Sequence, residues 1–163
     1  MNGSRWVIIA LGSNQGDSRP NVLRAFERLQ EFSDQPIRTS SLWETAPVDC
    51  PPGSSPFINA VAAFVPRVGE TPESLLQKLQ RIEQEFGRQP KTVLNEPRPL
   101  DLDIIAFGQE TRSTTELELP HPRAHLRAFV LGPLAEIAPE LRLPGQTLSV
   151  TDLLSHLRNQ PAA

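Results

Sequence analysis

Cys50 is the only cysteine in the chain, so neither an internal disulfide nor a cysteine zinc cluster can be built from it. That scarcity suits a reducing cytosol. No apolar run approaches the roughly 18 residues needed to cross a bilayer. The N-terminus also lacks a basic segment followed by a long apolar one, the mark of a secretory signal. The formal charge is only −3, too slight for a general polyanion surface, so any phosphate site must be local. The lysine and Ser/Thr of a P-loop are missing, as is the three-glycine dinucleotide fingerprint. These absences lead to the expectation of a cytoplasmic protein that binds neither nucleic acid nor membrane and acts as a monomer. Its 163 residues, 38% of them apolar, are enough for one domain over 1–163 with a sizeable core.

What the chain has in excess is proline, 17 in all. Most stand singly between periodic segments and so punctuate elements. Between them lies Pro97-Arg98-Pro99-Leu100-Asp101-Leu102-Asp103-Ile104-Ile105-Ala106-Phe107-Gly108. Apolar residues alternate with aspartates and then run together, the pattern of a β-strand. In a strand, residues two apart share a face about 6.5 Å apart. Asp101 and Asp103 would therefore repel by roughly 2–3 kcal/mol at an effective dielectric of about 20. A hard divalent cation would turn that repulsion into a site; a solvent-facing acidic strand is the plain alternative.

The rest of the chain supplies context. Trp6 to Leu11 reads as a buried strand closed by the polar turn Gly12-Ser13-Asn14, a weak phosphate cradle. Val22, Ala25, Phe26, Leu29 and Phe32 fall at helical spacing. Ile37 to Thr45 reads as one strand, followed by a ten-residue Pro/Gly/Ser-rich loop from Pro47 to Pro56. Phe57 to Val65 is apolar on both faces except for Asn59, whose amide must be satisfied by the backbone or by a polar ligand. Thr71-Pro72-Glu73 starts a helix with Leu75, Leu79, Ile82 and Phe86 as its core stripe. Leu76, Gln80, Glu83 and Gly87 form a second stripe that could either line a cleft or face solvent. A basic loop, Arg88 to Arg98, feeds the aspartates. Glu116 to Leu119 reads as a short strand, and Pro120 to Arg127 holds His121, Arg123 and Arg127. Phe129 to Ile137 is helical, Leu141 to Leu143 reads as an edge strand, and Ser149 to Arg158 closes the chain as an amphipathic helix. The order β-α-β-β-α-β-β-α-α is that of an α+β, ferredoxin-like domain, a doubled βαβ with a mostly antiparallel sheet and helices packed on it.

Paired carboxylates for Mg²⁺, flanked by cationic loops, are the equipment of phosphoryl or nucleotidyl transfer. The residues alone identify neither the acceptor nor the phosphorus attacked.

The chain resembles the 6-hydroxymethyl-7,8-dihydropterin pyrophosphokinases of folate biosynthesis. The resemblance runs through Ala10-Leu11-Gly12-Ser13-Asn14, Thr45-Ala46-Pro47, Phe57-Ile58-Asn59-Ala60-Val61 and Gln80-Arg81-Ile82-Glu83. It continues through Gly87-Arg88, Pro97 to Ile104, Leu119-Pro120-His121-Pro122, Arg127 to Leu131 and Ile137-Ala138-Pro139-Glu140. It implies transfer of diphosphate from MgATP to the pterin hydroxymethyl group, with release of AMP. Asp101 and Asp103 would hold two Mg²⁺, and Asp103 would take the hydroxyl proton. Arg88 and Arg98 would clamp phosphates. Leu76, Gln80, Glu83, Ile104, His121 and Arg127 would surround the nucleotide. Thr45, Pro47, Val48, Phe57, Asn59 and Phe129 would form the pterin slot. The sequence departs from the family pattern in the basic loop. Asn95-Glu96 replaces a common Trp-Gly, and Pro90 stands where a second arginine is frequent.

Overall fold

The computed structural model describes residues 5–46, 53, 55–87 and 99–159. Pro47, Val48 and the segment 88–98, with Arg88, Arg98 and the departures at Pro90, Asn95 and Glu96, lie outside the described residues.

Four strands make the body of the sheet: β1 (Val7–Ser13), β2 (Arg38–Thr39), β4 (Phe57–Phe64) and β5 (Asp101–Phe107). Their order is β2-β4-β1-β5, all antiparallel, and β3 (Trp43–Thr45) also pairs with β4. A sheet in which the first strand lies between the third and the last is the arrangement expected of the doubled βαβ plan. The segment 37–45 is broken into two strands. At Ser40 the backbone N–H still donates to the Val61 carbonyl (2.9 Å), but the Val61 N–H is taken by the Ser40 hydroxyl (2.9 Å), which itself donates to the Ser41 carbonyl (2.8 Å), so one ladder bond gives way to a side chain.

Two faces of the sheet are covered. Val7, Ile9, Leu11, Ile58, Ala60, Ala62, Phe64, Leu102 and Ile104 pack under α1 (Ser18–Gln30) and α2 (Pro72–Glu85). Ile8, Val61, Ala63, Ile105 and Ala106 pack under α3 (Ala128–Ile137) and α4 (Val150–Arg158). Each fully buried aliphatic side chain stabilises the fold by about 1.5–3 kcal/mol. The alternation along β1 and β5 thus divides their side chains between two cores, which is why both strands read as nearly continuous apolar runs.

α2 begins as its sequence demands. The Thr71 hydroxyl accepts the Ser74 N–H at 3.0 Å, and the Ser74 hydroxyl accepts the Thr71 N–H at 2.9 Å. This is a reciprocal capping box with serine in place of the usual Glu or Gln. Pro72 occupies the first helical position.

The expected strand at Glu116–Leu119 is shorter, β7 (Glu118–Leu119), and pairs with β6 (Arg112–Ser113), a strand the sequence did not announce. The expected edge strand at Leu141–Leu143 does not form. The Leu141 backbone is bonded to Ala138 and Val150 instead, tying the end of α3 to the start of α4.

Candidate active site

α3 and α4 cover only part of their face of the sheet. The remainder is a cavity of about 420 Å³. Its floor follows from register. Gly12 lies opposite Asn59 on β4 and Asp101 on β5; Ala10 lies opposite Val61 and Asp103. Glycine and alanine on the central strand leave the space into which the two carboxylates and the amide project. A β-carbon at Gly12 would stand 3.4 Å from the Asn59 amide oxygen, so a side chain there would crowd that group. One wall is Thr45, Ala46 and Phe57; the other is Arg127, Phe129 and Val130 at the start of α3; His121 and Ile105 complete the lining. The Asn59 amide nitrogen donates to the Thr45 hydroxyl at 2.7 Å, fixing which way the amide faces.

Asp101 and Asp103 are half-buried on this face, with Leu102 and Ile104 buried on the other. The alternation in the sequence therefore has the meaning expected of it. β5 ends the sheet path, and along its other side runs a second cleft of about 270 Å³. Leu76, Leu102, Ile104, Glu116, Leu117 and Glu118 are among its lining, together with Asp103 and His121. Asp103 and His121 thus belong to both cavities. Among the described residues no group of three or more His, Cys, Asp or Glu side chains could hold a metal. A cation on Asp101 and Asp103 would take its other ligands from water and substrate phosphate, which is the habit of Mg²⁺ and not of a caged structural ion.

His121 is half-buried. Its Nδ1 accepts the Arg123 N–H at 3.2 Å, which leaves the ring proton of the neutral form on Nε2. Burial first, then Arg127 and Arg123, hold its pKa below the usual imidazole value, against smaller opposing effects of Glu118 and Asp101. The ring is therefore a neutral donor at pH 7. The Arg127 guanidinium lies 5.5 Å from the centre of the Phe129 ring. The N-terminus of α3 beside it carries no side-chain cap, so that end of the cavity is favourable to anions.

The second stripe of α2 is divided. Leu76 lines the cleft beside β5, whereas Gln80 is exposed and lines neither cavity. Glu83 also lines neither. It is only 7% exposed, and its Oε2 accepts the N–H of Leu102 at 2.8 Å. A carboxylate thus takes the place of a neighbouring strand between the two aspartates. On the other side of Asp101, the Pro99 carbonyl accepts from the Ser13 hydroxyl (2.6 Å) and the Asn21 amide (3.2 Å). The Gly12-Ser13-Asn14 segment therefore bears on the aspartate strand through the backbone of Pro99.

Sequence reasoning had not selected Ala10, Gly12, Ala46 or Val130 as lining. Gly12, which the sequence reads as the start of a turn, lies within β1 (Val7–Ser13), and a glycine within a strand marks a close approach of other groups.

The model of the 7,8-dihydro-6-hydroxymethylpterin-pyrophosphokinase family matches residues 8–139. The chain belongs to this family. It is an enzyme, a pyrophosphokinase of folate biosynthesis. It is 42% identical over 142 residues to a 2-amino-4-hydroxy-6-hydroxymethyldihydropteridine pyrophosphokinase of Pseudomonas aeruginosa, spanning 85% of this chain and 83% of that one. The Bacillus subtilis protein of the same name is 38% identical, over 83% and 79%. A folate synthesis bifunctional protein of Arabidopsis thaliana is 37% identical over 80% of this chain, which corresponds to 26% of the longer protein. Among solved structures, Plasmodium falciparum HPPK-DHPS with pteroate superposes with a TM-score of 0.71. The match covers 93% of this pyrophosphokinase and 42% of that chain at 16% identity, so it speaks for the fold alone. Pyrophosphokinases of this family use MgATP.

Proposed function

We propose that the enzyme binds MgATP along β5 and the hydroxymethyl-dihydropterin in the 420 Å³ cavity, and transfers the β,γ-diphosphate between them. One observation carries this reading: the two clefts share Asp103 and His121. A donor in one and an acceptor in the other would meet at a carboxylate able to accept a proton and an imidazole able to donate a hydrogen bond.

In the nucleotide cleft, Leu76 and Ile104 offer apolar contact to the base. The triphosphate would then pass over Asp101 and Asp103 toward His121, Arg127 and the N-terminus of α3. The two carboxylates suit two Mg²⁺, shared with phosphate oxygens and water. Bound there, the ions would neutralise the triphosphate and favour attack at phosphorus. Arg88 and Arg98 are proposed to clamp phosphates from the loop preceding β5.

In the acceptor cavity, Phe57 and Phe129 supply aromatic surface for a flat ring, and the oriented Asn59 amide and Thr45 suit an edge with donors and acceptors. Pro47 and Val48 are proposed to close the slot. Asp103 accepts the hydroxymethyl proton as the oxygen attacks the β-phosphorus. The bond between the α-phosphate bridging oxygen and the β-phosphorus breaks, and AMP leaves. Preorganised charge and positioning do most of the work in such a transfer.

A nucleotidyl transferase could use the same carboxylates but would release pyrophosphate, and a paralogue that only binds would release nothing. Incubation with ATP and Mg²⁺ separates the three. AMP should appear only when hydroxymethyl-dihydropterin is added; ADP, pyrophosphate or no product would reject the reading.

A further inference from the structure

The two walls of the acceptor cavity belong to elements that meet beyond it. Thr45 is on β3 and Phe129 on α3. Two residues before Thr45, on the same face of the strand, is Trp43, which pairs in register with Asn59. Trp43, Asn59, Gly12 and Asp101 therefore form one row across four strands. Along α3, Phe129, Gly132 and Glu136 follow at helical spacing and share a side.

The two rows touch. A β-carbon on Gly132 would meet ring carbons of Trp43 at 2.4, 2.6 and 3.1 Å, so the indole lies against bare backbone and any larger residue would have to displace the ring. The Trp43 indole N–H donates to Glu136 Oε2 at 2.7 Å. The same carboxylate receives the Ser41 hydroxyl at 2.8 Å and the Ser41 N–H at 2.8 Å. The carboxylate ties the helix to the strand segment, and the ring resting on Gly132 limits how near they come.

We propose that Trp43, Gly132 and Glu136 are positioning residues that set the width of the acceptor cavity by holding α3 at a fixed separation from β3. The nucleotide cleft beside β5 has no wall from either element. A change in the lock is therefore felt more by the pterin, which lies between the two elements, than by ATP, whose phosphates approach α3 only at its N-terminus. This rests on the pterin occupying that cavity.

The test compares wild type with Gly132→Ala, Trp43→Phe, their double variant and Glu136→Gln. Folding is checked by circular dichroism and pterin binding by the fluorescence of hydroxymethyl-pterin. Gly132→Ala should raise the pterin KM about tenfold and leave the ATP KM within about twofold, an effect of the size of one methyl group in a tight site. Trp43→Phe and Glu136→Gln should raise the pterin KM by smaller factors. In the double variant the smaller phenyl ring gives room to the added methyl, so its pterin KM should fall below that of Gly132→Ala. Should Gly132→Ala not fold, Trp43→Phe and Glu136→Gln carry the same split between substrates. A folded variant set with unchanged pterin binding, or with both KM values moving together, would overturn the lock while leaving the cavity assignment standing. A wild type that does not bind the pterin would overturn both.

Discussion

At the scale of single residues, Asp103 borders both cavities, and the proposed reaction rests most heavily on it. Asp103→Asn removes the proton acceptor and one charge from the phosphate site while keeping shape. Turnover should fall by about 10²–10³-fold, the loss typical of a preorganised stabilising group. Pterin binding without nucleotide should change little, as read by fluorescence. Near-normal turnover would remove Asp103 from its role. The pairing of Asp101 with Asp103 was legible because strand periodicity is local and rigid. Asn59 was legible for a related reason: a polar group in an apolar strand needs a partner, and the Thr45 hydroxyl is one. Glu83 was not legible as it stands. Helical spacing placed it correctly beside Leu76, but its distance from β5 depends on how α2 docks, and no pattern within α2 encodes that. Its side chain is buried and bonded to the backbone of β5, and it lines neither of the two cavities described above.

At the scale of elements, β5 is supported on both sides of Asp101, by Ser13 and Asn21 at Pro99 and by Glu83 at Leu102. Glu83→Leu leaves the Leu102 N–H without this acceptor in a buried place, at a cost of about 1–3 kcal/mol. Glu83→Gln keeps a carbonyl oxygen there and should recover most of that loss. Chemical denaturation measures both; equal loss in the two variants would show that the hydrogen bond is not what matters. The docking of α3 supplies a second prediction. Glu136 is partly desolvated, which raises its pKa, but the N–H of Ser41, the Ser41 hydroxyl and the Trp43 indole together outweigh that and hold it below the ordinary carboxylate value. Such a group binds its proton less readily folded than unfolded. Its contribution to stability is therefore complete above the ordinary value and is lost as pH falls through the depressed one. Thermal unfolding from neutral to acid pH should show a loss in wild type that is smaller in Glu136→Gln. Parallel curves would contradict the assignment. The α3–β3 contact was invisible in the sequence because Gly132 and Trp43 are distant in the chain, and each looks ordinary alone.

For the molecule as a whole, alternating strands, helical stripes and turn residues sufficed to derive an α+β domain with a doubled βαβ plan. Failures occurred where pairing is weak or short. β6 has two residues, the segment 37–45 divides at Ser40, and Leu141 bonds to the ends of α3 and α4 while Leu143 closes a turn with Gln146. The same architecture leaves two open cavities at one edge of the sheet. α1 and α2 cover one face, α3 and α4 part of the other, and Ala10 and Gly12 of β1 line the cavity left open there, next to the cleft beside β5. In the proposed reaction, diphosphate crosses between those two cavities at Asp103. The most direct measurement follows ATP labelled at its β-phosphate through a single turnover in the presence of Mg²⁺ and hydroxymethyl-dihydropterin. The label should leave the nucleotide fraction and appear in the pterin product as unlabelled AMP accumulates. Label retained in ADP, or released as free pyrophosphate, would contradict it.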